Sequence, residues 1–451
     1  MRATGPLAVI GLTAFLVFGT VTVPANAAEV ITTFDGVTYT ADNTNVSAGA
    51  TATDYNPASG PAVTIPSFVT IGGTEYFVTT IGDFAFENNA LTTLTLPDTV
   101  TTIGYAAFAN NFLTSVTLPN TLTTIGDSAF YGNDITSVTL PDTLITIDGG
   151  AFYDNALASV TLPNTLTTIG DGAFAFNDLT SVTLPDTLTT IGDGAFFANA
   201  LSSVTLPNTV TTIGDFAFSS NGLASVTLPN TLITIGDYAF SSNDLTSVTL
   251  PNTLTTIGDY AFATNDLTSV TLPNALTTIG GHAFLDNDLT SVRFLGAAPA
   301  SFGLSVFTSD PLVSYYWRFG DSQITSGFTT PSWNGYKTQA IAIITYDTNG
   351  GTTIDPADTV VGTTATEPAA AVKTDYKFDG WYTAATGGTA WNFTTDTVAG
   401  DMTLFARYTA VPATPTGTAL AATGVAIPTI PAGIGAILLL AGVALLTRRR
   451  A

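Results

Sequence analysis

The chain of 451 residues contains no cysteine, a single histidine and two methionines. Without cysteine it cannot form disulfide bonds or thiolate metal sites, so its stability must come from packing alone. The lone histidine, His282, falls where other copies of a repeat described below carry Tyr, Phe, Gly or Ser, which indicates a substituted surface position. The chain therefore lacks the parts of a conventional Ser/His or Cys/His nucleophile system. We expect no catalytic residue and no enzymatic activity.

Positive charge is scarce as well. Only ten residues are lysine or arginine, and none of them lies between Arg2 and Arg293. The 34 acidic residues bring the formal net charge to −24. Because so acidic a surface repels nucleic acid and anionic lipid, we expect neither as a partner.

A 22-residue unit recurs ten times without a change of phase between Ile81 and Asn287. The copy at residues 113–134 reads LTSVTLPNTLTTIGDSAFYGND. Its isoleucine recurs at positions 81, 103, 125, 147, 169, 191, 213, 235, 257 and 279, and its phenylalanine at 86, 108, 130, 152, 174, 196, 218, 240, 262 and 284. A short fixed period indicates a solenoid, in which each coil buries its apolar face only against its neighbours.

Alternating residues predict one strand in each coil. In the copy at 113–134, Val116 and Leu118 alternate with Ser115 and Thr117, which is typical of a strand with one buried face. Pro119 should end this strand, because proline cannot continue the hydrogen-bond ladder.

The rest of the copy is expected to lead the chain to the next strand. Leu122 and Ile125 should point into the core, and a short helical turn should begin at residues 126–127 with Asp127 as its N-cap. Phe130 should fill the centre of the coil. Asn133 should turn the chain back, in the left-handed geometry that asparagine tolerates.

The unit resembles the BspA-type leucine-rich repeat of bacterial surface proteins, over about half of the chain. The resemblance implies a right-handed, curved solenoid with a parallel strand in each coil. We therefore predict a leucine-rich-repeat solenoid at 81–293, mainly β, with one short strand and a short helical turn per coil. Residues 28–80 and 294–340 lack the regular period and are predicted to be its N- and C-terminal caps.

A different module is predicted at residues 341–409. It contains the segments YDTNGG (346–351), FDGWY (378–382), WNF (391–393) and LFARY (404–408). These segments resemble the Listeria–Bacteroides repeat, the B repeat of internalins, which implies a small β-grasp-like domain. Its alternating aromatic residues are expected to form a core, with a ligand platform as the alternative.

Each end of the chain resembles a targeting segment. Residues 1–27 combine one basic residue, an apolar run and Ala25-Asn26-Ala27, which predicts a signal peptide cleaved after Ala27. An uncleaved anchor is the alternative. At the other end, residues 425–447 are uncharged and long enough to span a bilayer, and residues 448–451 include three arginines that should stay in the cytoplasm.

The segment Leu420-Ala421-Ala422-Thr423-Gly424 resembles the cell-wall sorting signal of Gram-positive surface proteins. Ala421 replaces the usual proline, as in a variant associated with a sortase class of high-GC actinobacteria. The resemblance implies that a sortase attacks the Thr423 carbonyl, releases Gly424 onward and joins Thr423 to peptidoglycan. A plain membrane anchor is the alternative. Residues 410–419, rich in Pro, Thr and Ala, are predicted to be a stiff linker through the wall.

Two columns of aspartate accompany the repeat. One follows the repeat glycine and the other follows the repeat asparagine. The first comprises Asp83, Asp127, Asp171, Asp193, Asp215, Asp237 and Asp259, and the second Asp134, Asp178, Asp244, Asp266 and Asp288. Carboxylates one coil apart repel by roughly 1 kcal/mol in water, and calcium would relieve this repulsion. We expect turn and capping roles without metal or cofactor, and keep calcium binding as the alternative.

The strand face is one candidate binding surface. It should present a regular array of hydroxyl groups, among them Thr117, Thr139, Thr161 and Thr183. This array could bind a glycan or a protein, although solvated strand-forming residues are the plainer interpretation. Ice binding is a weak alternative, because it needs a flat face and leucine-rich solenoids curve.

The second candidate surface consists of aromatic residues whose position varies between coils. These residues are Tyr131, Tyr153, Phe176, Phe197, Phe216, Tyr238 and Tyr260. Exposed aromatic side chains often mark binding sites, but these could equally pack down over the turn.

The sequence thus predicts an extracellular, non-enzymatic protein anchored to the cell wall, acting as an adhesin or as a scaffold for an unknown surface protein or glycan. Sortase and peptidoglycan are the expected partners in anchoring. One alternative is a structural spacer or coat protein without specific affinity, and a weaker one is a calcium- or ice-binding module. Mutation of the aromatic positions would separate adhesin from spacer, because a spacer should lose nothing.

Overall fold

The structure is a computed structural model that describes residues 29–307, 314–318, 328 and 332–412. The predicted signal peptide at 1–27, sorting motif at 420–424, membrane span at 425–447 and basic tail at 448–451 lie outside these residues. Within the described ranges, no helix has the length and apolar character needed to cross a membrane.

Residues 29–81 build one end of the solenoid. Three strands form an antiparallel meander, the third pairs in parallel with the sixth, and the fifth and sixth form a hairpin. The strands are β1 (Glu29–Phe34), β2 (Val37–Asp42), β3 (Ala50–Tyr55), β4 (Ala62–Thr64), β5 (Phe68–Ile71) and β6 (Thr74–Ile81), with 3₁₀ helices at Val46–Ala48 and Pro57–Ser59. The Tyr55 ring lies 5.6 Å from the ring of Phe86, so this segment covers the first repeat phenylalanine.

Most coils contribute two short strands, and not the single strand that was predicted. The first set carries the Ser-Val-Thr segment and comprises β7 (Thr93–Thr95), β9 (Ser115–Thr117), β11 (Ser137–Thr139), β13 (Val160–Thr161), β15 (Val182–Thr183), β17 (Ser203–Thr205), β19 (Ser225–Thr227), β22 (Ser269–Leu272) and β24 (Ser291–Phe294). The second set carries the Thr-Ile segment, replaced by Ser-Phe in its last member, and comprises β8 (Thr102–Ile103), β10 (Thr124–Ile125), β12 (Thr146–Ile147), β14 (Thr168–Ile169), β16 (Thr190–Ile191), β18 (Thr212–Ile213), β20 (Thr234–Ile235), β21 (Thr256–Ile257), β23 (Thr278–Ile279) and β25 (Ser301–Phe302).

The two sets differ in continuity. The second set forms one unbroken parallel sheet that begins at β6, with isoleucine paired to isoleucine, as Ile125 is with Ile103 and Ile147. The first set divides into shorter sheets, because β7 is not hydrogen-bonded to β9, β15 is not hydrogen-bonded to β17, and residues 247–250 form no strand. The continuous sheet therefore fixes the register from coil to coil.

The repeat phenylalanines form a stacked spine along the core. From Phe86 to Phe284, neighbouring ring centroids are 5.1–5.6 Å apart, and all ten rings are inaccessible to solvent. Leu113, which the sequence interpretation did not count among the large buried side chains, is also buried. The predicted leucine-rich-repeat solenoid, with coils stacked in register, is confirmed.

The turn after the repeat glycine is not helical, so the predicted helical turn and the N-cap role of Asp127 are wrong. Ser128 has φ 56°, a left-handed value that interrupts a right-handed helix. Its amide donates to the Gly149 carbonyl of the next coil at 2.8 Å, and the Phe130 amide donates to the Ala151 carbonyl at 2.9 Å. Because alternate amides bond to the next coil, they do not form the i→i−4 bonds of a helix.

The prediction for Asn133 is also wrong. The left-handed residue is the one before it, Gly132, with φ 64°, and Asn133 itself is buried. Its Oδ1 accepts from the Leu113 amide at 3.1 Å, and its Nδ2 donates to the carbonyls of Phe108 at 3.0 Å and Phe130 at 3.1 Å. This asparagine ladder continues at Asn111, Asn155, Asn177, Asn199, Asn221, Asn243, Asn265 and Asn287. It satisfies backbone groups that burial between coils would otherwise leave unpaired.

A threonine ladder, which the sequence interpretation missed, joins the coils beside the proline turn. The Thr187 hydroxyl donates to the Leu166 carbonyl of the preceding coil at 2.8 Å. The same bond recurs at Thr99, Thr121, Thr143, Thr165, Thr209, Thr231 and Thr253. Threonine at this position therefore ties neighbouring coils together.

A C-terminal β domain continues the first set of strands. Its strands are β26 (Ser314–Arg318), β27 (Ser332–Trp333), β28 (Tyr336–Asp347), β29 (Ala357–Val360), β30 (Tyr376–Tyr382) and β31 (Met402–Ala410). The sheet runs in the order β22-β24-β26-β28-β31-β30, and β27 and β29 pair with β28. β28 crosses the predicted boundary at residue 340 and pairs on both sides of it, so strand pairing joins this domain to the solenoid.

A salt bridge spans the same junction. The guanidinium of Arg293, on β24, contacts the Asp358 carboxylate, on β29, at 2.7 and 3.0 Å. In the domain core, Trp381 and Leu404 are buried, and Phe378 and Trp391 pack against them. The aromatic residues of this domain thus contribute to its core.

Candidate binding surface

The hydroxyl groups predicted on the strand face are at the surface. Thr117, Thr139, Thr161 and Thr183 are exposed, and parallel pairing of β9, β11, β13 and β15 aligns them. A shallow depression of about 440 Å³ lies beside Thr139 and Thr161, and Asp142 is part of its lining. The aligned array ends at Thr183, where this sheet ends.

The predicted aromatic positions lie side by side and form a continuous row of rings, which we call the aromatic ribbon. Successive ring centroids are 4.6–6.3 Å apart. The ribbon comprises Tyr131, Tyr153, Phe176, Phe197, Phe216, Tyr238, Tyr260 and His282. His282, interpreted from the sequence as a substituted surface position, is the last ring, stacked 4.6 Å from Tyr260.

The ribbon rings are neither fully buried nor fully exposed. Seven of the eight side chains are half-buried, and Phe176 is 41% exposed. The rings therefore pack on one another and on the turns, and they still present an apolar stripe eight coils long to solvent.

The ribbon draws one ring per coil from places either after or before the buried phenylalanine of the repeat. Tyr131, Tyr153 and Phe197 directly follow the buried phenylalanine of their coil, and Phe176 is one residue further on. In the next four coils the ring stands two residues before that phenylalanine, at Phe216, Tyr238, Tyr260 and His282. No coil in this stretch has a ring at both places, and none lacks one.

In most coils, the residue at the place without a ring has a small side chain or none. Coils with the later ring carry glycine or serine at the earlier place, and three of the other four carry serine or alanine at the later one. The Tyr153 ring covers the backbone of Gly172 in the next coil, where an added Cβ would lie 3.4 Å from the ring. One ring-sized space per coil is therefore filled from either place.

Five ribbon residues adopt left-handed backbone geometry. Their φ values lie between 53° and 58°, at Phe176, Phe216, Tyr238, Tyr260 and His282. This conformation is uncommon for bulky side chains and costs on the order of 1–3 kcal/mol. The positions two before and two after the buried phenylalanine are left-handed in all eight ribbon coils, with or without a ring, so this strain belongs to the repeat, and Gly150, Gly172 and Gly194 relieve it at the earlier position.

Ring orientation divides the ribbon into two halves. From Phe216 to His282 the planes lie within 9° of parallel at 4.6 Å, so neighbouring rings cover one another's faces and leave mainly edges exposed. Between Tyr131 and Phe216 the interplanar angles range from 29° to 85°, which leaves ring faces open. The most exposed ring, Phe176, belongs to this tilted half.

The first aspartate column runs beside the ribbon as a ladder. The Oδ1 atoms of Asp171, Asp193, Asp215 and Asp237 each accept a hydrogen bond from the backbone amide of the next aspartate in the column at 2.7–2.8 Å. Each carboxylate thus caps the following coil and not its own. In the described ranges, no group of three or more acidic or histidine side chains is placed to hold a metal ion.

The proximity of these carboxylates perturbs their titration. Burial raises the pKa of Asp193, the carboxylates of Asp171 and Asp215 add to the shift, and the amide of Asp215 opposes it. Burial also raises the pKa of Tyr238, and Tyr260, Asp259 and Asp237 raise it further. The ribbon and the column therefore form one electrostatically coupled surface.

Comparison with known families agrees with this architecture. A family profile of the BspA type leucine-rich repeat region, which represents six copies, matches residues 79–200 and 189–311. Together these matches span 233 of the 451 residues, more than half of the chain. The chain belongs to the BspA type leucine-rich-repeat family. A second profile, that of the Listeria-Bacteroides repeat domain, matches residues 343–407 of this BspA-type chain.

Similarity to individual proteins covers shorter stretches. The chain is 32% identical over 102 residues to a protein of Evansella cellulosilytica assigned as a Gly-rich membrane protein, which is 22% of this chain and 11% of the relative. It is 54% identical over 44 residues to internalin H of Listeria monocytogenes, which is 10% of this chain and 8% of the relative. The chain thus spans about a tenth of the length of these relatives.

Solved structures of leucine-rich-repeat proteins are also similar. A leucine-rich repeat protein from Bacteroides ovatus is 26% identical, with a TM-score of 0.48 over 63% of this chain and 70% of that chain. A leucine-rich cell surface protein from Faecalibacterium prausnitzii is 24% identical, with a TM-score of 0.36 over 66% of this chain and 97% of that chain.

Seven of the eight ribbon rings were predicted from the sequence as candidate surface residues, but their continuity was not. The signal for His282 was present, because it stands at the same place in its coil as Tyr260. The contact between the two halves, at Phe197 and Phe216, could not be read from the repeat, because the ring changes place between these coils.

Proposed function

We propose that the chain is a non-enzymatic protein displayed on the bacterial surface, where the aromatic ribbon binds a partner protein and so mediates adhesion or scaffolding. Matches to the BspA type repeat and to the Listeria-Bacteroides repeat support surface display. The observation that carries the binding role is the unbroken, partly exposed row of rings over eight coils. A passive spacer has no need of such a row.

A protein suits this surface better than a neutral glycan. Sugar rings stack on the faces of aromatic rings, and in the half from Phe216 to His282 those faces are covered by neighbouring rings. The exposed ring edges, the open ring faces of the tilted half and the carboxylates of the first aspartate column together match the mixed polar and apolar surface of a polypeptide.

The proposed attachment is covalent linkage to peptidoglycan through Thr423, after export by the N-terminal signal peptide. It rests on the resemblance of residues 420–424 to a sorting signal, and these residues lie outside the described part of the chain. In a sortase-bearing Gram-positive host, Thr423→Ala should move the protein from the wall fraction to the membrane fraction. Unchanged covalent attachment to the wall would contradict this part of the proposal.

The binding role can be tested with the full chain displayed on cells. A ribbon variant replaces Tyr131 and Tyr153 by Ser and Tyr238 and Tyr260 by Gly, residues that other coils carry at the same places. Hot-spot aromatic residues typically contribute at least about 2 kcal/mol each, so adhesion to immobilised host-surface and bacterial-surface protein extracts should fall by tenfold or more.

The matched control removes exposed apolar side chains away from the ribbon. Ile145 and Ile233 are 49% and 46% exposed, and other coils carry threonine at this place. Ile145→Thr with Ile233→Thr should leave adhesion unchanged. Equal adhesion by the unmodified chain and the ribbon variant would refute the binding role and favour a spacer.

A further inference from the structure

The solenoid presents negative charge without compensation. Residues 29–292 contain 24 of the 34 acidic residues and no lysine or arginine. No lysine or arginine within residues 29–292 can therefore pair with these carboxylates, and compensating cations must come from outside this range. A second copy of the chain would bring the same charge to the same surface and would be repelled.

Part of this charge lies directly along the ribbon. In the stacked half, Asp215, Asp237 and Asp259 each precede a ribbon ring in the sequence. In the tilted half, Asp171 and Asp193 precede glycines that lie beside ribbon residues: the Tyr153 ring lies over Gly172, and Gly194 lies beside the Cβ of Phe197. Rings and carboxylates thus run side by side over at least five coils.

The carboxylates of the column retain binding capacity. The ladder bonds use Oδ1 of each aspartate, and a carboxylate can accept hydrogen bonds at both oxygens. Mutual repulsion along the column would be relieved by a cation placed beside it. Guanidinium groups suit this position, because they pair with a carboxylate and also lie on an aromatic face.

We propose that the aromatic ribbon and the adjacent aspartate column bind an extended cationic polypeptide segment, rich in arginine and lysine. This inference rests on the proposed binding function of the ribbon and specifies the chemistry of its partner. The tilted half offers open ring faces to cationic groups, and the stacked half offers ring edges flanked by Asp215, Asp237 and Asp259. Anionic partners are repelled by the same column.

The probe is a fluorescein-labelled 16-residue peptide in which arginine alternates with serine, compared with a peptide in which glutamine replaces each arginine. Binding to the full chain, purified in mild detergent, is followed by fluorescence anisotropy at 50 and 300 mM NaCl. The arginine peptide should bind, and its affinity should fall by about tenfold or more at the higher salt, because the contacts are electrostatic. The glutamine peptide should bind at least about tenfold more weakly at low salt.

Two charge-matched triple variants test the location of the site. Asp215→Asn, Asp237→Asn and Asp259→Asn remove three charges beside the ribbon while keeping the Oδ1 acceptor of the ladder, and should weaken arginine-peptide binding by about tenfold. The control replaces the exposed Asp98, Asp142 and Asp186 by the asparagine that other coils carry there, and should change binding by less than about twofold. Circular dichroism checks that both variants are folded.

Three results would overturn the proposal: no binding of the arginine peptide, equal binding of the glutamine peptide, or equal losses in the two triple variants, which would indicate bulk charge alone. These results are separable from failure of the proposed function. If the ribbon variant loses adhesion and the arginine peptide does not bind, the binding function stands and the cationic partner is refuted. If the ribbon variant adheres normally, the binding function itself is refuted.

Discussion

Replacement of Asn177 by alanine should open the solenoid locally at the coils it joins. Asn177 is 6% exposed, its Oδ1 accepts from the Leu157 amide at 3.0 Å, and its Nδ2 donates to the Phe152 carbonyl at 2.8 Å. Nδ2 also donates to the carbonyls of Phe174 and Ala175, but each of these carbonyls accepts a second hydrogen bond from another residue and would stay paired. The variant therefore deprives two buried backbone groups of the bond that Asn177 supplied.

Each unsatisfied buried group costs about 1–3 kcal/mol, so Asn177→Ala should lower the local free energy of unfolding by about 2–6 kcal/mol. A solenoid can open coil by coil, so a global melting temperature would blur this effect. Amide hydrogen exchange read by mass spectrometry resolves it. Peptides within 150–180 should exchange about thirtyfold faster or more, while peptides within 240–270 should be unchanged.

Two further variants sharpen the test. Asp178→Ala removes the exposed neighbouring side chain and should alter exchange little. Asn177→Asp keeps the acceptor but turns an oxygen toward carbonyl oxygens, which should raise the pKa of the new carboxyl in the folded state. Its destabilisation should therefore be small at acidic pH and grow as the pH rises through that pKa. Equal exchange in the alanine variant and the unmodified chain would refute the bridging role of the asparagine ladder.

Phe174→Ala, which interrupts the spine, should lower local stability by about 3–5 kcal/mol, measured by hydrogen exchange of its coil, whereas unchanged protection would contradict a shared core. Gly192→Ala would place a Cβ 2.6 Å from a backbone nitrogen of the preceding coil, and should lower the free energy of unfolding measured in urea by about 1–3 kcal/mol. Gly400→Ala, with open space around the added Cβ, should leave that free energy unchanged. Burial raises the pKa of Asp193, so folding favours its protonated form, and the ionised form destabilises the fold as the pH rises. Asp193→Asn should therefore raise the melting temperature more at pH 7 than at pH 3. An equal effect at both pH values would count against the raised pKa.

The period of the sequence was sufficient to predict the solenoid, because its core consists of one residue type stacked on itself. Phe130 is buried against Phe108 and Phe152, as a strict 22-residue repeat requires. The second strand of each coil was missed because the Thr-Ile segment is only two residues long, too short to show alternation.

The turns could not be predicted from local propensity, because their hydrogen bonds go to other coils. Asp127 looked like a helix N-cap and Asn133 like a left-handed turn residue, yet Ser128 and Gly132 take the left-handed geometry. The buried Asn133 is fixed by groups 20 and 25 residues away along the chain. Such partners belong to the stacked assembly and leave no signal in a single copy.

The direction of the ladders has a mechanical consequence. The asparagine, threonine and strand-to-strand bonds all run along the long axis, so tension between a bound partner and a C-terminal attachment would stretch them end-on. Coils would then detach one after another, each freeing 22 residues. A freed coil would add about 70 Å of extended chain in exchange for about 5 Å of stacked length. Rather than breaking at once, such a tether would lengthen in steps under force.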